Sequence, residues 1–248
     1  MRKLIWIAIF LACASTRTPT SRLLDVKSKA MSAGYTADLT ALAEAARDAR
    51  AIAAEEPKLA AMAHYWAGYA LWQRAVNDVN RKVDPAADRD AALAELDAAL
   101  AVREPFADAH ALAAWLHGWL YGADPANKDA HQKALMAHIA RARELEPDNP
   151  RVLWEVGYVM QIRDAERGRK ILGDLAGRTD APSPRSLDPD WGVPEALMVL
   201  AYNYLNAKPP DVAQAETLAR RALELRPHWY YVEAILMPQI EQANHKSP

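Results

Sequence analysis

The chain holds a single cysteine, Cys13, so no disulfide can form within it. Glycine is scarce, with 9 in 248 residues, and that is too little punctuation for a fold of many short strands. Positive charge is not in surplus. The formal net charge is −2, and taking away residues 1–12, which carry Arg2 and Lys3, leaves 28 basic and 32 acidic residues. A chain of that balance has no electrostatic footprint for nucleic acid. No apolar run is long enough to span a bilayer. Local catalytic signatures are missing as well: there is no HExxH, no GxSxG, no phosphate-binding glycine loop and no cysteine cluster. The sequence therefore points away from an enzyme and implies no cofactor, although an active site assembled across a fold leaves no local motif.

What is present begins with an export signal. Arg2 and Lys3 precede an apolar run over residues 4–12, followed by small residues, as in a secretory signal peptide. Two readings stand side by side. Ala12, Cys13 and Ala14 fit the small-x-small rule of ordinary cleavage after Ala14. Phe10, Leu11, Ala12 and Cys13 resemble a bacterial lipobox, in which Cys13 becomes the lipidated first residue. Phe10 stands where a lipobox has an aliphatic residue. The expected location is periplasmic with a lipid anchor; the alternative is soluble periplasmic or secreted. The expected organisation is a signal at 1–14, a polar tether at 15–35, a helical domain at 36–243 and a tail at 244–248.

Alanine-rich stretches with helical apolar spacing fill the rest. The spacing and the prolines predict about ten helices, near 36–55, 58–79, 88–103, 107–121, 126–145, 150–162, 164–175, 192–206, 211–226 and 229–243. Thr36 is the expected cap of the first. Residues 176–190, with three prolines, form the longest break.

The helices repeat. Gly68, Ala114, Gly157 and Ala201 are spaced by 46, 43 and 44 residues, and each is followed by an aromatic: Tyr69, Trp115, Tyr158 and Tyr202. A steady period of this size marks stacked helical units. Helix endings repeat too: ARELEP at 142–147, ALELRP at 222–227 and ALAVREP at 99–105. Proline ends a helix because it lacks an N–H and restricts the residue before it.

In these small anchors and Ala-to-Pro endings the chain resembles the tetratricopeptide repeat family. The likeness covers about residues 36–243 in four repeats. The observed period is near 44, against about 34 in the family, and the loops at 80–87, 121–126 and 176–190 hold much of the excess. The usual first-helix tryptophan is replaced by His64, His110, Leu153 and Leu197. The resemblance implies an all-α, right-handed α-solenoid of helix-turn-helix repeats. It also implies that Tyr65, Tyr69, Trp72, Trp115, Trp119, Trp154, Tyr158 and Tyr202 line a concave ligand-binding surface, with Ala111 and Met198 beside them. Aromatic side chains suit such a surface, having large apolar area and a polar tip. The competing reading is that the same aromatics pack between helices. Eukaryotic co-chaperones of the family clamp a peptide carboxylate with Lys, Arg and Asn, and the matching positions here hold none. A protein or peptide partner, presenting an apolar segment or helix, is therefore expected. A small apolar ligand, as in a transporter-associated receptor, is the alternative.

Two further clusters carry less. His64, His110 and His117 fall at packing positions of the repeat, with no carboxylate or thiol at diagnostic spacing, so no metal site is expected. Arg163, Arg167, Arg169 and Lys170 interleave with Asp164 and Glu166 and read as a solvated helix face. The sequence thus predicts a non-catalytic, exported helical scaffold, with Cys13 as its lipidation site.

Overall fold

The computed structural model describes residues 17–179 and 186–246. The signal segment and Cys13 lie outside the described residues. Within them the structure is all-helical and has no strand. The helices are α1 (Pro19–Thr36), α2 (Leu39–Glu55), α3 (Ala60–Asn80), α4 (Ala86–Val102), α5 (Ala107–Ala123), α6 (Lys128–Leu145), α7 (Pro150–Arg163), α8 (Ala165–Ala176), α9 (Val193–Leu205), α10 (Val212–Leu225) and α11 (Met237–Lys246). A 3₁₀ turn, Pro125–Asn127, precedes α6, and a π-helical stretch, Tyr231–Leu236, runs into α11.

Local chemistry explains most boundaries. Asp164 and Asp211 each accept a backbone N–H from the first turn of α8 and α10, and Asn149 does the same for α7, where Pro150 opens the helix. Two expectations need correction. From Pro19 on, the stretch read as a polar tether is helix α1, capped by Thr18, with Leu23, Val26 and Ala30 buried in the main core. Thr36 is not a cap: it is the last residue of α1, and its hydroxyl donates back to Ser32 O at 3.0 Å. The cap of α2 is Asp38, whose carboxylate accepts from Thr40 N and Ala41 N. A carboxylate is a better acceptor there, and Ala37 in the left-handed region (φ 57°) makes the turn between the two helices.

Successive helices pack as antiparallel neighbours: α2 on α3, α3 on α4, α5 on α6, α7 on α8 and α9 on α10. Odd-numbered helices also meet one another, α1 with α3, α5 with α7 and α7 with α9. The α7–α8 pair is joined through one residue, Asp164, and approaches to backbone contact. A Cβ on Gly168 would fall 2.5 Å from Gln161 N, and one on Gly157 would fall 2.8 Å from Leu172 Cγ. Only glycine permits that crossing.

The chain also closes on itself. Lys27 Nζ on α1 donates to Ser186 O (3.0 Å) and Asp188 O (2.6 Å). Trp66 Nε1 on α3 donates to Leu187 O at 3.0 Å, and Trp191 Nε1 donates to Tyr65 OH at 2.8 Å. Glu195 accepts from Tyr35 OH at 2.6 Å and from Gly192 N at 2.5 Å, with Gly192 in a backbone region (φ 117°) that favours glycine. Residues 186–195 therefore latch the last quarter of the chain onto α1 and α3. A simple stack, in which each unit touches only its neighbours, makes no such contacts.

Candidate functional site

The latch decides what the aromatic column becomes. Helix α3 is apolar nearly all round and runs through the middle of the core. Phe106 packs against Tyr65 at 5.2 Å, while Trp66, Trp72 and Trp191 ring Tyr69 at 5.3, 5.4 and 6.3 Å between centroids. Tyr65 and Tyr69 have no exposed surface and line neither of the two cavities that the other aromatics border. The expectation that they bind ligand is therefore corrected: both are core, because Trp191 and Phe106 cover the face that an open stack would leave bare.

The other six expected residues do border open space. Two adjoining cavities, of about 530 and 570 Å³, form one groove. The first is walled by Trp72, Trp115, Trp154, Tyr158 and Tyr202, with Met198, Trp229 and Tyr231. The second is walled by Trp115, Trp119, Tyr121 and Tyr158, with Leu135 and Met136 from α6. Val76, Asn80, Trp115, Tyr158 and Ile162 border both. Rings run in contact along the groove: Trp119 to Trp115 at 5.1 Å, Trp115 to Trp72 at 5.4 Å, and Trp154 stacked on Tyr158 at 5.6 Å. Its rim carries apolar surface that a core would have hidden, with Tyr158 40%, Tyr202 45% and Ile162 81% exposed.

Polar atoms in this wall are incompletely satisfied. Trp72 Nε1, Trp154 Nε1 and Glu155 Oε2 are buried without a hydrogen-bond partner. Glu155 is 2% exposed, and burial alone pushes its carboxyl well above the usual range, which favours its neutral form. Burial also raises Glu195, in the first cavity, while the Tyr35 hydroxyl and Gly192 N–H pull it back. Among the described lining residues there is no Lys, Arg or His. Sequence reasoning passed over Glu155, Ile162 and the polar wall of Gln73 and Asn77. A usable signal existed: Glu155 is the lone charge in the apolar run VLWEVGYVM at 152–160.

The histidines fall into separate places. His64 pairs through Nδ1 with Glu95 at 2.8 Å. His110 and His117 on α5 face His138 and His131 on α6, with Nδ1–Nδ1 distances of 2.8 and 3.1 Å. His117 also stacks on His138 at 5.5 Å, so the four rings form a ladder along the α5–α6 seam. Among the described residues no group of three or more His, Cys, Asp or Glu is arranged to hold a metal ion. Of the basic residues read as a solvated face, Lys170 is exposed and paired with Asp174 at 2.7 Å. No helix among the described residues is long and apolar enough to cross a membrane. Compared with family models, curated proteins and solved structures, the chain has no match.

Proposed function

We propose that this chain is a non-catalytic helical scaffold whose aromatic groove binds an apolar segment of a protein or peptide partner. The observation that carries this reading is the continuous aromatic wall, fully packed behind and exposed at its rim through Tyr158, Ile162 and Tyr202. Rings of this kind offer large contact area at low entropic loss. A small apolar ligand is the second reading, favoured by the size of the two cavities, each within the span of small-molecule sites. The helical pairs are proposed as degenerate tetratricopeptide-like repeats of a right-handed α-solenoid. Sequential antiparallel pairing supports this, and the 186–195 latch would then be an addition that closes the array.

The groove is tested by titrating the full chain with amphipathic 15-residue helical peptides, and separately with apolar small molecules, while following tryptophan emission. The double variant Tyr158→Ala, Tyr202→Ala should weaken whichever class binds by about tenfold or more, as for interface anchors worth over 1 kcal/mol. Unchanged binding in that variant would move the ligand elsewhere, and no binding by either class would sink the groove.

Export and anchoring through Cys13 are proposed from the sequence. In a bacterial host the full chain should incorporate labelled palmitate, and Cys13→Ala should abolish the label and release the protein into the soluble periplasmic fraction. An unlabelled native protein beginning at Ser15 would establish ordinary cleavage after Ala14.

A further inference from the structure

Glu155 is a carboxyl group with no reason to be where it is, as far as the fold is concerned. It sits in α7 between Trp154, which is packed in the core, and Val156, and its burial is nearly complete. No hydrogen bond or ion pair satisfies its Oε2, and no neighbouring charge contributes to its raised pKa. An unpaired buried carboxyl lowers stability by desolvation, and an apolar residue of similar size would pack without that cost. Glu155 nevertheless lines the second cavity, together with Trp115, Trp119, Tyr121 and Tyr158. Among the described residues it is the only acidic or basic one in that wall.

A single carboxyl among aromatic rings is the chemistry that recognises an organic cation. Ring faces are negative and attract an ammonium, and the carboxylate supplies the counter-charge and a hydrogen-bond acceptor. The rings at the outer end already show this contact. Arg89 lies over Trp119 at 5.9 Å and Lys128 over Tyr121 at 4.6 Å, though neither cation lines the cavity. Among the described residues no cation lies over Trp115 or Tyr158, the rings shared by both cavities. Among the described residues an anionic ligand would find no basic partner in either wall.

We infer that the second cavity binds an alkylammonium group, with Glu155 as its counter-ion and Trp115 and Tyr158 as its ring contacts. The inference rests on the groove reading and names the ligand chemistry of its second cavity. The group could belong to a free amine with an apolar chain or to a lysine side chain presented by a partner. Before binding, burial favours the protonated form of the Glu155 carboxyl. On pairing with the ammonium it becomes carboxylate and passes that proton to solvent, so binding at neutral pH should release up to one proton per ligand.

The probes are n-octylammonium, octan-1-ol and octanoate, matched in apolar length and differing in charge. They are titrated into the full chain by calorimetry in two buffers of different ionisation enthalpy. Octylammonium should bind at least about tenfold more tightly than the alcohol or the anion, with a buffer-dependent enthalpy that reports proton release. Glu155→Gln keeps the shape and hydrogen-bonding capacity but removes the charge. It should lower octylammonium affinity by about 10- to 100-fold while the melting temperature holds or rises. Octanol or octanoate binding as well as the amine, or equal amine affinity in Glu155→Gln, would overturn the ammonium assignment and leave the groove standing. No binding by any of the three probes would overturn the assignment as well, with the groove itself then resting on the Tyr158→Ala, Tyr202→Ala test. A short apolar peptide with one central lysine, compared with its norleucine analogue, separates the two sources. A lysine preference lost in Glu155→Gln supports a partner side chain, and a preference confined to octylammonium supports a free amine.

Discussion

Tyr69→Ala is expected to lower the unfolding free energy by about 3–5 kcal/mol, the range for truncating a large buried aromatic. The ring has no exposed surface and is held edge-on between Trp66 and Trp72, with Trp191 over it. Its hydroxyl also accepts from Gln73 Nε2 at 3.2 Å, so truncation leaves a buried amide short of a partner. Trp191 belongs to the latch segment, and a cavity beneath it would weaken the closure as well as the local packing. Tyr158→Ala should behave differently, with a loss under half as large. That ring is 40% exposed and stacks only one face on Trp154 among the described residues, so its removal opens the groove rim and leaves no sealed void. Chemical denaturation of the two variants, read by far-ultraviolet circular dichroism, gives both values. Equal losses would mean that Tyr158 is as deeply packed as Tyr69, and the groove wall would then be core.

The contrast matters because the two tyrosines occupy the same place in the repeat. Each follows a glycine, 89 residues apart, and nothing local distinguishes them. What separates them is the latch. Residues 186–195 reach contacts on α1 and α3 more than 100 residues away, and no periodicity reports such a contact. Helix spans were legible because the apolar stripes, the Asp and Asn caps and the prolines act within a few residues. Helix α1 was misread because it follows directly on the polar Ser and Thr stretch after the signal segment, where a tether is expected. Its cap, Thr18 with Pro19, and its stripe of Leu23, Val26 and Ala30 were there to be seen. For the site, aromatic composition was legible, and the aromatics singled out on α5, α7 and α9 border the two cavities. The polar part was not: Glu155 gains its meaning from burial without a partner, which is a property of the assembled fold.

The α5–α6 seam should make the protein acid-sensitive through His138. Its ring is held neutral in the folded chain, with its pKa lowered to about 4, first by burial and then by His110 and His117. His110 and His117 are themselves lowered, again chiefly by burial. The groups facing this seam from its two helices and the segments around them are few. Glu104 stands near His110 at 3.9 Å and is held by Arg141 at 2.6 Å, and Asp124 stands near His131 at 3.4 Å. The unfolded chain takes up a proton at His138 below about pH 6.5, and the folded chain does so only near 4. Stability from the neutral ring is therefore complete above 6.5 and is lost as pH falls towards 4. At about 1.4 kcal/mol per unit, His138 accounts for on the order of 3–4 kcal/mol over that window. Buried carboxyls such as Glu155 and Glu195 have raised pKa values and act with the opposite sign, losing stability as pH rises. The measurement is thus a difference: urea unfolding of the native chain and of His138→Asn, each at several pH values between 4 and 7. The native curve should fall more steeply towards acid, by the amount given above. Parallel curves would mean that the His138 ring takes up its proton in the folded seam as readily as in water. Because Trp119 on α5 and Leu135 and Met136 on α6 wall the second cavity, loosening this seam should also release whatever that cavity holds. Binding of n-octylammonium weakens towards acid in either variant through the Glu155 proton, so the readout is again a difference: the native chain should lose the amine at higher pH than His138→Asn does.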